Sequence, residues 1–228
     1  MMMMVGGVSG FAPGSAAVQA PKLQQLSAQM GVESMVGTGP ETGGKVFDPY
    51  GFSTMGGDKT LAFFRHAEIK HGRVAMAGIV GLLFHINHIH FSGYLSPTFG
   101  VSFEDLSNMG PFDAWNAVPL LGQMQIIFTI AGLEHASECL DPAGHYTKGG
   151  EPGNLKFLKN FWDTPGFTKK LSAQQLAEKR LSEIKNGRLA MIGMASICFS
   201  MAVPGSVPLL NGAPALTGAP FALPFGSF

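Results

Sequence analysis

The chain has 228 residues, 15 Lys+Arg against 15 Asp+Glu, and 13% charged residues at a hydrophobic content of 46%, where a soluble domain carries about 25% charge. A formal net charge of +0 excludes a nucleic-acid binder, which needs a basic surplus, and the apolar content excludes a disordered chain. With 31 Gly, 13 Met and so few charges to cover a globule, the composition points to a single membrane domain.

In chain order, residues 1–44 read as a flexible extension rich in Gly, Ala, Ser and Pro that lies on the cation-rich side. An apolar run, Val74 to Phe84, follows; at 11 residues it is short of the roughly 20 that span a bilayer. Its helical periodicity therefore has to continue upstream into Leu61 to Arg73. The segment Ala117 to Leu133 is a more conventional crossing and carries Gln123 and Gln125, with Glu134 just beyond. A third crossing needs Leu189 to Val203 extended upstream to Gln175. The tail, 203–228, is charge-free and rich in Pro and Gly. Cys139 and Cys198 form neither a disulfide framework nor a CxxC pair and read as buried thiols.

The cations fix the topology. All of them lie in two blocks, Lys22 to Arg73 and Lys148 to Arg188, which puts those blocks on one side of a membrane and residues 85–116 and 203–228 on the other. The fold expected is an all-α membrane protein with three transmembrane helices.

The two charged helices are copies. Arg65-His66-Ala67-Glu68-Ile69-Lys70-His71-Gly72-Arg73 matches Arg180-Leu181-Ser182-Glu183-Ile184-Lys185-Asn186-Gly187-Arg188 at an offset of 115, and the same offset carries Phe47–Phe52 onto Trp162–Phe167. A direct repeat of a spanning helix must enter from the same side each time, so the middle helix separates two copies related by a pseudo-two-fold axis along the membrane normal. Glu68 can then meet Arg188 while Glu183 meets Arg73, two inter-helix ion pairs that answer the cost of charge at membrane depth, at least about 2.5 to 3.5 kcal/mol each. Glu68 with His71, and Glu183 with Asn186, stand at i, i+3. Single O or N donors do not converge on a bare ion, but one donor suits a metal whose other positions are filled, such as the magnesium of a porphyrin-like ring. Gly72 and Gly187 leave room either for such a ring or for close helix approach.

FRHAEIKHGRVAM and EIKNGRLAM, each preceded by an FDP-G-F-like or WD-PGF segment, resemble the two signature helices of the chlorophyll a/b and a/c light-harvesting complex superfamily. The resemblance covers roughly 45–200 and implies a three-helix pigment-binding domain over 45–202 between the extension 1–44 and a lumenal tail 203–228. It implies no catalysis. Glu68, His71, Glu183 and Asn186 would be axial ligands of chlorophyll magnesium, with Arg73 and Arg188 neutralising the carboxylates. Gln125 and Glu134 match the middle helix's ligand positions, with Gln123 and Glu138 as competitors. The family's Gln ligand, 14 residues after the Asn, is Ser200 here; the repeat-related position is His85, which is expected to be a ligand instead. His88 and His90 are either extra ligands or interfacial histidines, and His66, His135 and His145 have equally plain structural readings.

Gly93–Pro97 with Val101–Leu106 resembles the red-lineage chlorophyll a/c antennae, and Gly132–His135 leans towards the dinoflagellate type. The resemblance thus implies chlorophyll a, chlorophyll c and carotenoids, peridinin or fucoxanthin with a diadinoxanthin-type xanthophyll. It also implies a plastid thylakoid location with the N-terminus stromal and the C-terminus lumenal. The partners implied are thylakoid lipids, neighbouring antenna subunits and a photosystem core, I or II. Ser9–Pro13 resembles a Phe-centred plastid processing site. Glu104, Asp105 and Asp113 are the only acids that would serve a photoprotective quencher, the nearest alternative. A haem- or quinone-binding membrane enzyme is more distant, because six of the seven His have no counterpart in the other copy.

Overall fold

The computed structural model describes residues 31–32, 35–139, 145–153, 166, 170–203 and 205–210. Most of the extension with Ser9–Pro13, all of the repeat segment Trp162–Phe167 except Gly166, and the tail from 211 lie outside the described residues.

Three long helices dominate. Helix α1, Asp58–Ile86, has 29 residues, about 43 Å at 1.5 Å per residue. Asp58 lies in its first turn, where the helix dipole favours an acid, and no proline interrupts it. It stops at Asn87, whose Nδ2 donates to the Leu83 carbonyl at 2.8 Å, and His88 then turns the chain with a left-handed φ of 54°, a place usually left to Gly. A two-stranded antiparallel hairpin, β1 (Tyr94–Ser96) and β2 (Val101–Ser102), follows; it is the one departure from the all-α expectation among the described residues. Ser102 caps the short helix α2, Phe103–Ser107, by accepting from the Asp105 amide at 3.0 Å.

Helix α3, Pro111–Ala117, and helix α4, Leu120–Cys139, are bent by 106° across their break. The break has a local cause: Val118 precedes Pro119 and is held extended at φ −66°, ψ 129°. The middle helix accordingly begins later and ends later than the apolar run 117–133 suggests. Helix α5, Ala173–Ala202, opens on a reciprocal capping box between Ser172 and Gln175. Before α1, Asp48 accepts from the Phe52 and Ser53 amides, both at 2.9 Å. Hydrogen bonding from Ser53 holds its carboxyl below the usual range. That turn presents Phe47 and Tyr50 at 79% and 81% exposure, so the polar residue makes the turn and the rings face outward.

Helices α1 and α5 pack directly, at glycine. A Cβ added to Gly72 would lie 3.0 Å from the Cα of Gly187, and the reverse holds equally, so the glycines serve close helix approach rather than room for a ring. Ala75 and Ala190, related by the repeat, are buried one turn on. Beyond this seam there is almost no protein core. Among the described residues Ala75, Ile86, Ala114 and Ala190 are the buried hydrophobics, and no side chain is fully buried. No residue of α4 is buried. That corrects the expectation for the cysteines: Cys139 on α4 is an exposed free thiol and Cys198 a half-buried one. Among the described residues α1 is the one single helix that could cross a membrane by length and composition, with the bent pair α3 and α4 as a second candidate; α5 carries its charges between Glu178 and Arg188.

Candidate functional site

The crossing of α1 and α5 brings four charged residues together. Arg188 Nε lies 2.7 Å from Glu68 Oε1, and Arg73 Nε lies 2.6 Å from Glu183 Oε1. Each guanidinium also donates Nη1 to a carbonyl of a preceding loop, Arg188 to Gly37 and Arg73 to Gly153, both at 2.6 Å. The loop before each outer helix thus caps the arginine of the other helix. Sequence spacing does not reveal these carbonyls, because the contact depends on where a non-repetitive loop folds back.

The two glutamates differ. Glu68 Oε2 also accepts from Arg65 Nη1 at 2.7 Å, so both its oxygens face cations. At the matching position Arg180 is drawn away to Glu151 at 2.6 Å, and Glu183 Oε2 has no partner among the described residues. Glu183 therefore keeps lone pairs open to a Lewis acid.

His71 and Asn186 present donors outward at equivalent places. The His71 Nδ1 lies 2.8 Å from the Ala67 carbonyl. A carbonyl only accepts, so Nδ1 carries the hydrogen and Nε2 keeps its lone pair, the tautomer a metal-binding imidazole needs. Asn186 donates Nδ2 to Ser182 Oγ at 3.2 Å, and its Oδ1 has no partner among the described residues. Both side chains are exposed, and both orienting partners stand four residues earlier. Val74 and Leu189, also related by the repeat, are 72% and 70% exposed, so each donor sits on an apolar surface that no protein covers.

On α4, Gln125 is exposed and its amide has no partner among the described residues, whereas Gln123 donates to the Trp115 carbonyl at 2.8 Å. Glu134 and Glu138 are both drawn to Lys70, whose Nζ lies 2.5 Å from Glu134 Oε2 and 2.9 Å from Glu138 Oε1. Glu138 meets His145 Nε2 at 2.7 Å and lies 3.2 Å from His66 Nε2, the latter without hydrogen-bond geometry. His66 is 7% exposed, accepts from the Gly153 amide at 3.0 Å and stacks on Tyr146 at 4.1 Å. This polar cluster ties α4 to α1 and supports the Gly153 loop that holds Arg73. It was not legible from spacing, because Lys70 and its acids are more than sixty residues apart. His85 Nε2 donates to the Met109 carbonyl at 2.9 Å and so can offer a metal only Nδ1. His135 contacts Cys139.

The donor set fits a ring-bound magnesium. Among the described residues no three of His, Cys, Asp and Glu form a metal cage, while single, oriented donors stand on uncovered apolar surface.

Comparisons with known proteins agree with this chemistry. Residues 32–202 match the family described as Chlorophyll A-B binding protein. The fucoxanthin-chlorophyll a-c binding protein of Trieres chinensis is 30% identical over 212 residues, covering 92% of this chain and 96% of that protein. Protein E of the same description from Macrocystis pyrifera is 30% identical with 84% of each chain covered, and protein F from Phaeodactylum tricornutum is 30% identical with 80% and 88% covered. With two outer helices crossed at glycine, a donor exposed on each, and a family match over most of its length, the chain belongs to the chlorophyll-binding light-harvesting protein family.

Proposed function

We infer that the chain is a light-harvesting antenna protein, not an enzyme, that holds chlorophyll a, chlorophyll c and carotenoids in a plastid thylakoid membrane. Helices α1, α4 and α5 span the membrane, the N-terminus is stromal and the C-terminus lumenal, as the cation blocks require. The pigment domain is 45–202, flanked by the extension 1–44 and the lumenal tail 203–228. Excitation passes to a photosystem core, I or II, directly or through neighbouring antenna subunits.

The observation that carries this reading is the pair His71 and Asn186, each oriented by a hydrogen bond four residues back and aimed from an uncovered apolar face. Glu183, His71, Asn186 and Gln125 are the readiest axial ligands. Glu68 ligates once Arg65 moves and Glu134 through the oxygen Lys70 leaves free; His85, its Nε2 held by the Met109 carbonyl, is the least ready of the expected ligands. Arg73 and Arg188 neutralise the glutamates and keep the helices crossed. Bound chlorophyll absorbs light and hands its excitation to the next pigment; the protein supplies spacing, ring orientation and local electrostatics. The names of the relatives support fucoxanthin as the carotenoid; the Gly132–His135 pattern favours peridinin, and a diadinoxanthin-type xanthophyll completes the set.

Refolding the full chain with extracted pigments tests this. His71→Leu and Asn186→Leu are each expected to lose chlorophyll while the rest of the spectrum persists. A purified protein showing a Soret band with sharp haem bands and no red chlorophyll band would overturn the reading.

A further inference from the structure

The structure assigns a separate tetrapyrrole site to the end of α1 away from the cations, with His90 as its axial ligand; the inference rests on the antenna reading. An open cavity of about 290 Å³ lies between the end of α1, α2 and α3, and its walls include His85, His90, Phe103, Leu106 and Trp115. Its surface is mostly hydrocarbon and aromatic, which suits a flat apolar ring more than a hydrated ion.

Two details of the histidines fix the ligand. His90 Nδ1 lies 3.0 Å from the Phe91 carbonyl. Since a carbonyl only accepts, Nδ1 is the protonated nitrogen, and Nε2 keeps a lone pair on an exposed side chain. Among the described histidines this repeats what is found at His71, where Nδ1 is likewise tied to a carbonyl. His85, which also lines the cavity, has the other arrangement, with Nε2 spent on Met109. Its contact joins α1 to the turn before α3 and so shapes the cavity instead of filling the metal's axial position.

The backbone places His90 where this requires. The helix stops at Asn87, His88 takes a left-handed φ of 54°, and His90, two residues on, lines the cavity from beyond the helix. A single imidazole beside an apolar, aromatic wall cannot hold a bare transition metal, which wants several donors. It completes a magnesium whose four equatorial positions belong to a macrocycle. The Trp115 indole N–H, without a partner among the described residues, also lines the cavity and could meet a carbonyl at the ring's edge.

The test is refolding of the full chain with chlorophyll a, chlorophyll c and carotenoid, followed by counting chlorophylls per protein. His90→Leu should lose a single chlorophyll and His90→Asn, which keeps a donor, should retain it; His85→Leu should leave the count higher than His90→Leu does. A full chlorophyll count in His90→Leu overturns the assignment. If that variant binds no pigment at all, carbethoxylation of the pigment-loaded wild-type protein decides: His90 resistant supports the site, and His90 modified as readily as in the pigment-free chain overturns it. His71→Leu run in parallel separates the two claims, since a wild-type protein that takes up no chlorophyll, or a His71→Leu variant with an undiminished count, counts against the antenna ligands rather than against His90.

Discussion

At the scale of residues, the two copies of the motif are alike in sequence and unlike in charge balance. Arg65 and Arg180 are the same residue at the same place, yet Arg65 faces Glu68 while Arg180 faces Glu151. The residue that corresponds to Glu151 in the first copy is Val36, which cannot draw Arg65 away. Magnesium at Glu68 would therefore compete with a charge-assisted hydrogen bond worth about 1.5 to 3 kcal/mol, and magnesium at Glu183 would not. Replacing Arg65 with Leu should tighten chlorophyll retention at Glu68 by about tenfold or more, read as slower pigment loss during detergent titration. Glu151→Gln should do the opposite at Glu183 by freeing Arg180; equal retention in both variants and the wild type would refute the competition. Arg73 is a different case. Without it Glu183 is left uncompensated and the Gly153 carbonyl loses its donor, a loss of about 3 to 5 kcal/mol where the pair is shielded from water. Arg73→Leu is expected to refold with little or no pigment, and normal pigment content in that variant would show that the ion pair is dispensable.

At the scale of elements, the seam between α1 and α5 is set by glycine. Gly72→Leu has no space, because the nearest atoms are backbone of the facing helix; the helices would separate, the cross-pairs would stretch, and pigment-bearing protein should not be recovered. Gly72→Ala asks for a shift of a few tenths of an ångström and should cost about 1 to 3 kcal/mol, seen as a lower melting temperature with the pigments retained. A melting temperature unchanged in Gly72→Ala would mean that the two helices do not meet so closely. Much of this was readable in the chain, since an ungapped offset of 115 makes Gly72 and Gly187, Glu68 and Glu183, and His71 and Asn186 equivalent before any contact is known. Three things were not. The break at Pro119 sits inside an apolar run whose periodicity hides it. The capping of Arg73 and Arg188 comes from loop carbonyls, which no side-chain pattern encodes. The capture of Glu134 by Lys70 joins two helices through residues with no shared period, so Glu134 looked as free as Gln125 until the helices were placed.

At the scale of the whole molecule, the protein part alone has too little buried surface to hold its shape. Fixing a residue's backbone costs about 1 to 2 kcal/mol, and the four buried hydrophobics among the described residues, Ile86 and three alanines, cannot repay that over three long helices. The pair α1 and α5 at least shares a glycine seam and two ion pairs. Helix α4 has no buried residue, and the attachment described here is the cluster of Lys70, Glu134, Glu138, His66 and His145 near its C-terminal end, where each exposed pair is worth about 0 to 1 kcal/mol. The remaining length of α4 needs something apolar and rigid between it and the other two helices, a need that bound pigments would meet. The orientation of α4 should then depend on pigment more than the α1–α5 crossing does. The two native cysteines report on this directly, since Cys139 lies on α4 and Cys198 on α5, and both are free thiols. Spin labels on them should give a narrow distance distribution in pigment-loaded protein and a broad one in the same chain refolded in detergent without pigment. A control pair placed at exposed positions of α1 and α5 away from the proposed ligands, Val80→Cys and Ile192→Cys in a background with both native cysteines replaced, should broaden far less. Equal broadening in both pairs would mean that the pigments hold the outer helices together as well, and an unbroadened Cys139–Cys198 distance would mean that the polar cluster alone orients α4.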